Sequence, residues 1–434
     1  MIKNREELIS NGGNKYGKAR DDALYILEEV LKKMNGYNLV KSSLKVKGDS
    51  IFIKGRKINL MSYKRIFVIG FGKASASMAK AIEDLMDIDG GIVISTEDIK
   101  LKKIEMVKGS HPFPEKRNVD ATQKIVELVE DADPDDLIIV LISGGGSSLL
   151  CLPHVSLDAM KEVSAELMKR GCTIKELNAV RKHISKVKGG QLAEMSRAKM
   201  ISLIISDIIG NPVDAIASGP TAGDPTTFRD AMKILRKYNI RNEEVVDFIS
   251  EGIKGKRKET PSKLENVENI IIGDINMACH HALEMAGEKG YDARIISTSI
   301  SGEAREMGKN LVEYAIFHPR RNIVFISGGE TTVNVKGDGK GGRNQEMVLS
   351  AIENMTNEAM VFLSCGTDGM DGNSPAAGAI ADGGSYARAR KMGLNLEEYL
   401  NNNDSYGFFK KMGDAIFTGY TGTNVMDLQI MVKI

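Results

Sequence analysis

At 434 residues and 47.3 kDa the chain exceeds what one hydrophobic core supports, which predicts two domains. The 59 Lys plus Arg nearly cancel the 58 Asp plus Glu, so there is no global positive field to hold a nucleic acid or an anionic membrane, and small-molecule chemistry is the expectation. The longest clean apolar run, residues 137–142, is about a third of the ~20 residues that a membrane span needs, and the first seven residues lack a signal-peptide core, which predicts a cytoplasmic protein.

In chain order, the spacing of Ala23, Leu24, Leu27, Val30 and Leu31 predicts an amphipathic helix over residues 18–34 that needs a partner surface. After a polar stretch, short β-rich runs recur at 65–69, 91–95, 137–142, 200–205, 270–272, 294–297, 322–326, 360–363 and 428–432, most of them followed by a helical pattern. That alternation predicts mainly parallel sheets with helices on both faces, a doubly wound α/β fold. The charged stretch between Lys237 and Val267 places the domain joint near residue 260, giving domains at 1–260 and 261–434. Residues 141–146 and 325–330 echo one another, each a strand ending in a glycine turn. Ligands bind beyond the carboxyl ends of strands in open parallel sheets, although a chance likeness of two turns explains the echo equally well.

Several of these turns can carry chemistry. Gly70-Phe71-Gly72-Lys73-Ala74-Ser75 lets the chain turn tightly into a helix whose N-terminus favours an anion, with Lys73 at its mouth. It lacks the Walker spacing, and Ser75 stands where a dinucleotide fingerprint has its third glycine, so a plain strand-turn-helix with a surface lysine fits as well. Glu97, past the next run, matches the ribose-binding acid of a dinucleotide fold. Ser143-Gly144-Gly145-Gly146-Ser147-Ser148 leaves an apolar strand with successive N–H groups able to wrap a phosphate or carboxylate. Residues 178–190 concentrate Arg181, Lys182, His183, Lys186 and Lys188; a solvated basic face accounts for most, with Arg181 and Lys188 the candidates to reach an anionic substrate.

Asp207 and Asp368 follow strands in loops whose hard oxygens suit Mg²⁺ carried by a nucleotide. In the richest stretch, Glu330 follows a Ser-Gly-Gly turn, and four glycines from 337 to 342 make a mobile loop bearing Lys340 and leading into Arg343-Asn344-Gln345-Glu346. Cationic groups there suit charge on a transferring phosphoryl. The four cysteines form no Cys-x-x-Cys pair, and no His-x-x-x-His occurs, which argues against disulfide and zinc frameworks.

Taken together in order, these strings resemble the glycerate 2-kinase family, whose carboxyl-terminal module is called MOFRL. The matching stretches are 70–74, 109–114, 142–148, 178–190, 217–221, 328–332, 339–346, 366–372 and 421–424, so the likeness covers about residues 65–430. It implies a larger Rossmann-like domain, a smaller α/β domain and a catalytic cleft between them. It further implies ATP with Mg²⁺ as the donor, D-glycerate as the acceptor and 2-phosphoglycerate as the product. The family's proposed catalytic lysine and arginine fall on Lys73 and Arg343. The chain departs from the pattern at Pro375, where relatives usually carry Asp, and at Met426, where they usually carry Asn. It departs again at 208–211, which read Ile-Ile-Gly-Asn where Pro-Gly-Asp is usual.

Two rivals are an NAD(P)H-dependent hydroxypyruvate reductase, which the Gly70-Phe71-Gly72 turn and Glu97 suggest, and a non-catalytic sensor of sugar acids or nucleotides. The sequence leaves a homo-oligomer open.

Overall fold

The computed structural model describes residues 1–434, and they form two compact units. The first to close along the chain comprises Gly36–Ile272, and the other joins Met1–Asn35 to Gly273–Ile434. The expected joint near residue 260 is therefore corrected. The charged stretch is tied into the Gly36–Ile272 unit by Thr260 Oγ1, which donates to Asp224 Oδ2 at 3.0 Å, and by Glu259, 3.2 Å from His183 Nε2.

The Gly36–Ile272 unit opens with a meander, β1 (Leu44–Lys47), β2 (Ser50–Ile53) and β3 (Arg56–Asn59), paired antiparallel through turns at Gly48 and Gly55. Sequence reading passes over it as a polar stretch, although the two Lys-Gly turns at 47–48 and 54–55 mark it. The main sheet follows: β4 (Ile66–Phe71), β5 (Gly90–Ser95), β6 (Ile104–Lys108), β7 (Leu137–Ile142), β8 (Lys199–Ile205) and β9 (Val267–Gly273). They lie in the order β6-β5-β4-β7-β8-β9, which is 3-2-1-4-5-6 within this sheet, the order of doubly wound α/β sheets. Every pairing from β6 to β8 is parallel.

β7, Leu-Ile-Ile-Val-Leu-Ile, is buried at every position, as a strand covered on both faces requires. Ile138, Val140 and Ile142 pack with Ile125 and Val129 of the helix Lys116–Asp131. Four further helices, Leu157–Lys169, Ile174–His183, Phe228–Lys237 and Glu243–Ile253, bury a separate core around Leu167, Leu177, Phe228 and Phe248.

The second unit holds β10 (Asp292–Ile300), β11 (Ile323–Gly329), β12 (Met360–Gly366), β13 (Gly378–Asp382), β14 (Ala415–Ile416) and β15 (Asp427–Lys433), in the order β10-β11-β15-β12-β13-β14. The expectation of mainly parallel sheets fails here, because only β10 and β11 pair in parallel. They are joined by the helix Ala304–Phe317, the kind of crossover that parallel pairing needs, whereas β13 returns directly on β12 and the last strand, β15, inserts antiparallel between β11 and β12.

Phe325, Phe362 and Met431 pack there with Val312 and Val348 from the helices Ala304–Phe317 and Arg343–Ala351. The opening helix, Gly13–Lys33, finds its partner surface on β12, β15 and the helix Ile275–Glu288. Its Arg20, fully buried, donates from Nε to Asp382 Oδ2 at 2.6 Å, and from Nη1 to Asp414 Oδ1 at 2.6 Å and to the Leu8 carbonyl at 2.8 Å.

Candidate active site

Each unit presents a cluster of the residues singled out from the sequence. In the doubly wound unit, β4 and β7 are neighbours at the point where strand order reverses, so the turns leaving them emerge side by side. The turns interlock. The Lys73 N–H donates to the Gly144 carbonyl at 2.9 Å, the Ala74 N–H donates to Ser143 Oγ at 3.0 Å, and the Ser143 N–H donates to the Phe71 carbonyl at 3.3 Å.

Gly72 makes this possible: at φ 134° it adopts a backbone conformation open to glycine, and a Cβ there would stand 2.2 Å from Ser143 Oγ. Ser143 is thus a buried brace of the turn. Over Gly145, at φ 82°, lie the stem of Lys73 and the ring of His111, since a Cβ at that glycine would meet Lys73 Cγ at 3.2 Å and His111 Cδ2 at 3.1 Å. Within the loop the N–H groups of Gly146 and Ser148 are taken by the carbonyls of Ser143 and Gly145. Those of Gly144 and Gly145 donate to no carbonyl of the loop.

The far side of the loop is pinned by Ser147 Oγ, 2.9 Å from Ser218 Oγ, which donates in turn to Asn178 Oδ1 at 3.0 Å. Ala217 and Ser218 hold φ of 52° and 63°, a left-handed strain of roughly 1–3 kcal/mol each that the surrounding bonds must sustain. Lys188 Nζ donates to the carbonyls of Ser147 at 2.7 Å and Leu150 at 2.9 Å, and burial pushes its ammonium down to about 8. Arg181 and Lys188 both line a cavity of about 320 Å³ beside the loop.

Glu97 accepts from the Ser77 N–H at 3.1 Å, in the first turn of the helix Ser75–Leu85, and burial raises its carboxyl. It therefore occupies the helix end where a dinucleotide would set its pyrophosphate.

In the other unit the centre is Arg343, first residue of the helix Arg343–Ala351. Its Nε donates to Asp427 Oδ2 at 2.5 Å, Nη2 to Asp427 Oδ1 at 3.0 Å, and Nη1 to Glu330 Oε1 at 2.6 Å. Burial alone pulls the guanidinium down, but Asp427, Glu330 and Asp371 together outweigh it and hold it above its ordinary range. Burial raises the Asp427 and Glu330 carboxyls, and Asp368 is near enough for its charge to push both further up.

Asp371 closes the helix end. Its Oδ1 accepts from the Asn344 N–H at 3.0 Å and from Asn344 Nδ2 at 3.2 Å, and its Oδ2 accepts from the Gln345 N–H at 2.9 Å and from Gln345 Nε2 at 2.8 Å. Asn344 Oδ1 accepts from Ser364 Oγ at 2.6 Å, so this buried asparagine positions the helix and is committed on both sides.

The glycine loop before Arg343, expected to be mobile, is fastened. The N–H groups of Lys336 and Gly337 donate to Asn403 Oδ1 at 2.7 and 3.1 Å, that of Gly339 to the Asn402 carbonyl at 2.9 Å, and that of Gly341 to Asn373 Oδ1 at 2.9 Å. Its glycines serve close packing, since a Cβ at Gly339 would stand 2.5 Å from the Asn402 carbonyl oxygen. Glu330, Thr331, Val335, Gly342, Arg343 and Asn373 line a cavity of about 520 Å³ in this unit.

No three His, Cys, Asp or Glu side chains are arranged as a metal cage. A single carboxylate such as Asp368, half-buried after β12, fits Mg²⁺ brought by a nucleotide, because that ion takes one or two carboxylates alongside phosphate oxygens. Asp207 lies directly after β8 in the other unit. Sequence reasoning missed Asp427 and Asp371 as partners; their signals are an acid opening the last strand and the second acid of the 366–372 motif.

A model of a domain of unknown function, DUF4147, matches residues 22–250, and the MOFRL family model matches 323–427. A glycerate 2-kinase of Pyrococcus horikoshii is 38% identical over 95% of this chain and 97% of its own length, and a D-glycerate 2-kinase of Thermotoga maritima is 40% identical over 93% and 98%. A putative hydroxypyruvate reductase of Agrobacterium vitis is 38% identical over 85% of this chain and 87% of its own. The crystal structure of a Thermotoga maritima glycerate kinase superposes with a TM-score of 0.85 at 36% identity, covering 96% of this chain and all of that one. Matched along nearly its whole length in sequence and in fold, the chain belongs to the glycerate 2-kinase family.

Proposed function

We propose that this chain transfers the γ-phosphoryl group of ATP to the C2 hydroxyl of D-glycerate in the cytoplasm, releasing ADP and 2-phosphoglycerate. Glycerate phosphorylation follows from the family. The observation that carries the reading further is the setting of Arg343. Three of its five N–H donors go to Asp427 and Glu330, so two remain for phosphoryl oxygens, and the side chain is held rigidly on the lining of a cavity.

The C2 oxygen forms the new P–O bond while the bond from the γ-phosphorus to its bridging oxygen breaks. ADP leaves with that oxygen, and the hydroxyl proton passes to water. Arg343 in one unit and Lys73 in the other are cations of the kind that stabilises negative charge on a transferring phosphoryl group, the largest contribution a protein makes to such a transfer. The Gly144 and Gly145 N–H groups cradle a phosphate or carboxylate, with Ser143, Gly146 and Ser147 fixing their direction. Glu330 and Asn344 are positioning residues, the first through Arg343 and the second through Asp371. Asp368 would hold Mg²⁺, with Asp207 a second candidate, and the ion would neutralise phosphate charge.

A coupled assay containing enolase but no mutase tests the product, because enolase consumes 2-phosphoglycerate directly. Activity is expected at once; a strict need for mutase would move the transfer to the C3 hydroxyl and leave the kinase reading standing. The reductase named among the relatives is tested by oxidation of NADH or NADPH with hydroxypyruvate, and none is expected, because Glu97 already fills the helix end that a dinucleotide needs.

A further inference from the structure

We propose that the cavity beside the Ser143–Ser148 loop is the acceptor subsite, in which Arg181 anchors the carboxylate of the hydroxy acid with Lys188 next to it. The inference rests on the kinase reading for the identity of the acid, but the site itself is argued from charge. The charged side chains lining this cavity of about 320 Å³ are Lys161, Arg181 and Lys188; no carboxylate faces it.

Two buried cations and the half-buried Arg343 have acid partners. Arg20 meets Asp382 and Asp414, Lys182 meets Asp224, and Arg343 meets Asp427 and Glu330. Arg181 breaks that pattern. Its hydrogen bond runs from Nε to Ser164 Oγ at 3.2 Å, and burial, with no acid to oppose it, pulls its guanidinium down. Lys188 gives two of its three N–H donors to backbone carbonyls and none to an acid. Buried charges are ordinarily paired, so two adjacent cations facing a cavity without a counter-charge are a site that an anion completes.

The rest of the lining selects the anion. Phe113, Met160 and Met168 give an apolar wall, against which a carbon skeleton packs while its charged end meets the cations. The planar guanidinium fork matches the two oxygens of a carboxylate. The volume lies at the low end for small-molecule pockets, roughly 300–1,000 Å³. Ser147 and Ser148 line the same cavity, so an acid held there lies beside the glycine loop, and Lys188 ties the two together through the Ser147 carbonyl.

The test uses the full chain and Arg181→Met, with thermal melts in the presence of glycerate, its neutral amide or inorganic phosphate, and steady-state kinetics. For the parent protein, glycerate is expected to raise the melting temperature while the amide leaves it unmoved, and a phosphate shift, which the Gly144 and Gly145 N–H groups would give, is expected to be the same in Arg181→Met. Arg181→Met is expected to melt no lower than the parent without ligand, to lose the glycerate shift, and to raise KM for glycerate about 10- to 100-fold with KM for ATP unchanged. Arg181→Lys, which keeps the charge, should fall between the two, and serves as the test if the methionine variant does not fold. An unchanged glycerate KM in either variant overturns the assignment, as does a glycerate shift that Arg181→Met retains in full. A glycerate-specific shift without phosphorylation would sustain the subsite while ending the kinase reading.

Discussion

Arg343 meets Asp427 through two parallel bonds, Nε to Oδ2 at 2.5 Å and Nη2 to Oδ1 at 3.0 Å, so one acid of the last strand fixes the plane of the guanidinium. A lysine at this position reaches one oxygen but cannot hold that plane. Arg343→Ala and Lys73→Ala are each expected to lower turnover by on the order of 10³ with little change in circular dichroism, and Arg343→Lys should restore only a small part. Near-normal turnover in either alanine variant would remove that residue from the mechanism.

Gly72→Ala tests the interlock of the two turns. The added Cβ must clear Ser143 Oγ, 2.2 Å away, and Ser143 O, 2.6 Å away, in a conformation already closed to alanine. Overpacking and backbone strain together should cost about 2–4 kcal/mol in chemical denaturation. A variant as stable as the parent would show that the turns are not packed against each other.

Arg20→Ala should destabilise the unit built on β10 to β15 by about 3 kcal/mol or more, because it leaves Asp382 and Asp414 buried without their main cation. Urea unfolding is the measurement. A loss below about 0.5 kcal/mol, the range of surface substitutions, would contradict the buried network.

Asp371 supplies a pH dependence. Burial pushes its carboxyl up to about 6, against the pull of the Gln345 and Asn344 N–H groups. Since the folded value lies above the unfolded one of about 3.9, the stability tied to this group is fully present below about pH 4 and lost as pH rises through 6. Asp371→Asn abolishes the titration and turns an amide toward donors. The variant should therefore be less stable throughout, and the gap from the parent should narrow by roughly 3 kcal/mol between pH 4 and 7. A constant gap across that range would refute the raised value.

Much of this was legible in residue pattern. Apolar runs, interrupted only by Ser202 in β8, located β7, β8 and β12, because strands buried on both faces carry no alternation to blur. β13, Gly-Ala-Ile-Ala-Asp, was missed because small residues give it little apolar signal, and β14 because two residues make no pattern. Lys73, Arg343 and the Ser143–Ser148 loop stand out as candidates because glycine turns and charges stand together in sequence. Asp427 was missed because its partner is 84 residues away, and such a pair exists only after the last strand inserts. Met426 carries φ 72°, which explains why asparagine is usual there: its short polar side chain tolerates the left-handed region.

The opening helix belongs to the unit that the chain finishes last, and this bears on how the protein is made. Synthesis at about 5–20 residues per second puts Gly36–Ile272 between the helix Gly13–Lys33 and the strands that cover it, a wait on the order of tens of seconds. Throughout that interval the helix that buries Leu24, Leu27 and Leu31 lacks the strands it packs on, and Arg20 has neither of its acids. The helix Gly13–Lys33 is open to aggregation in this window, so chaperone capture there should aid folding of the unit it completes.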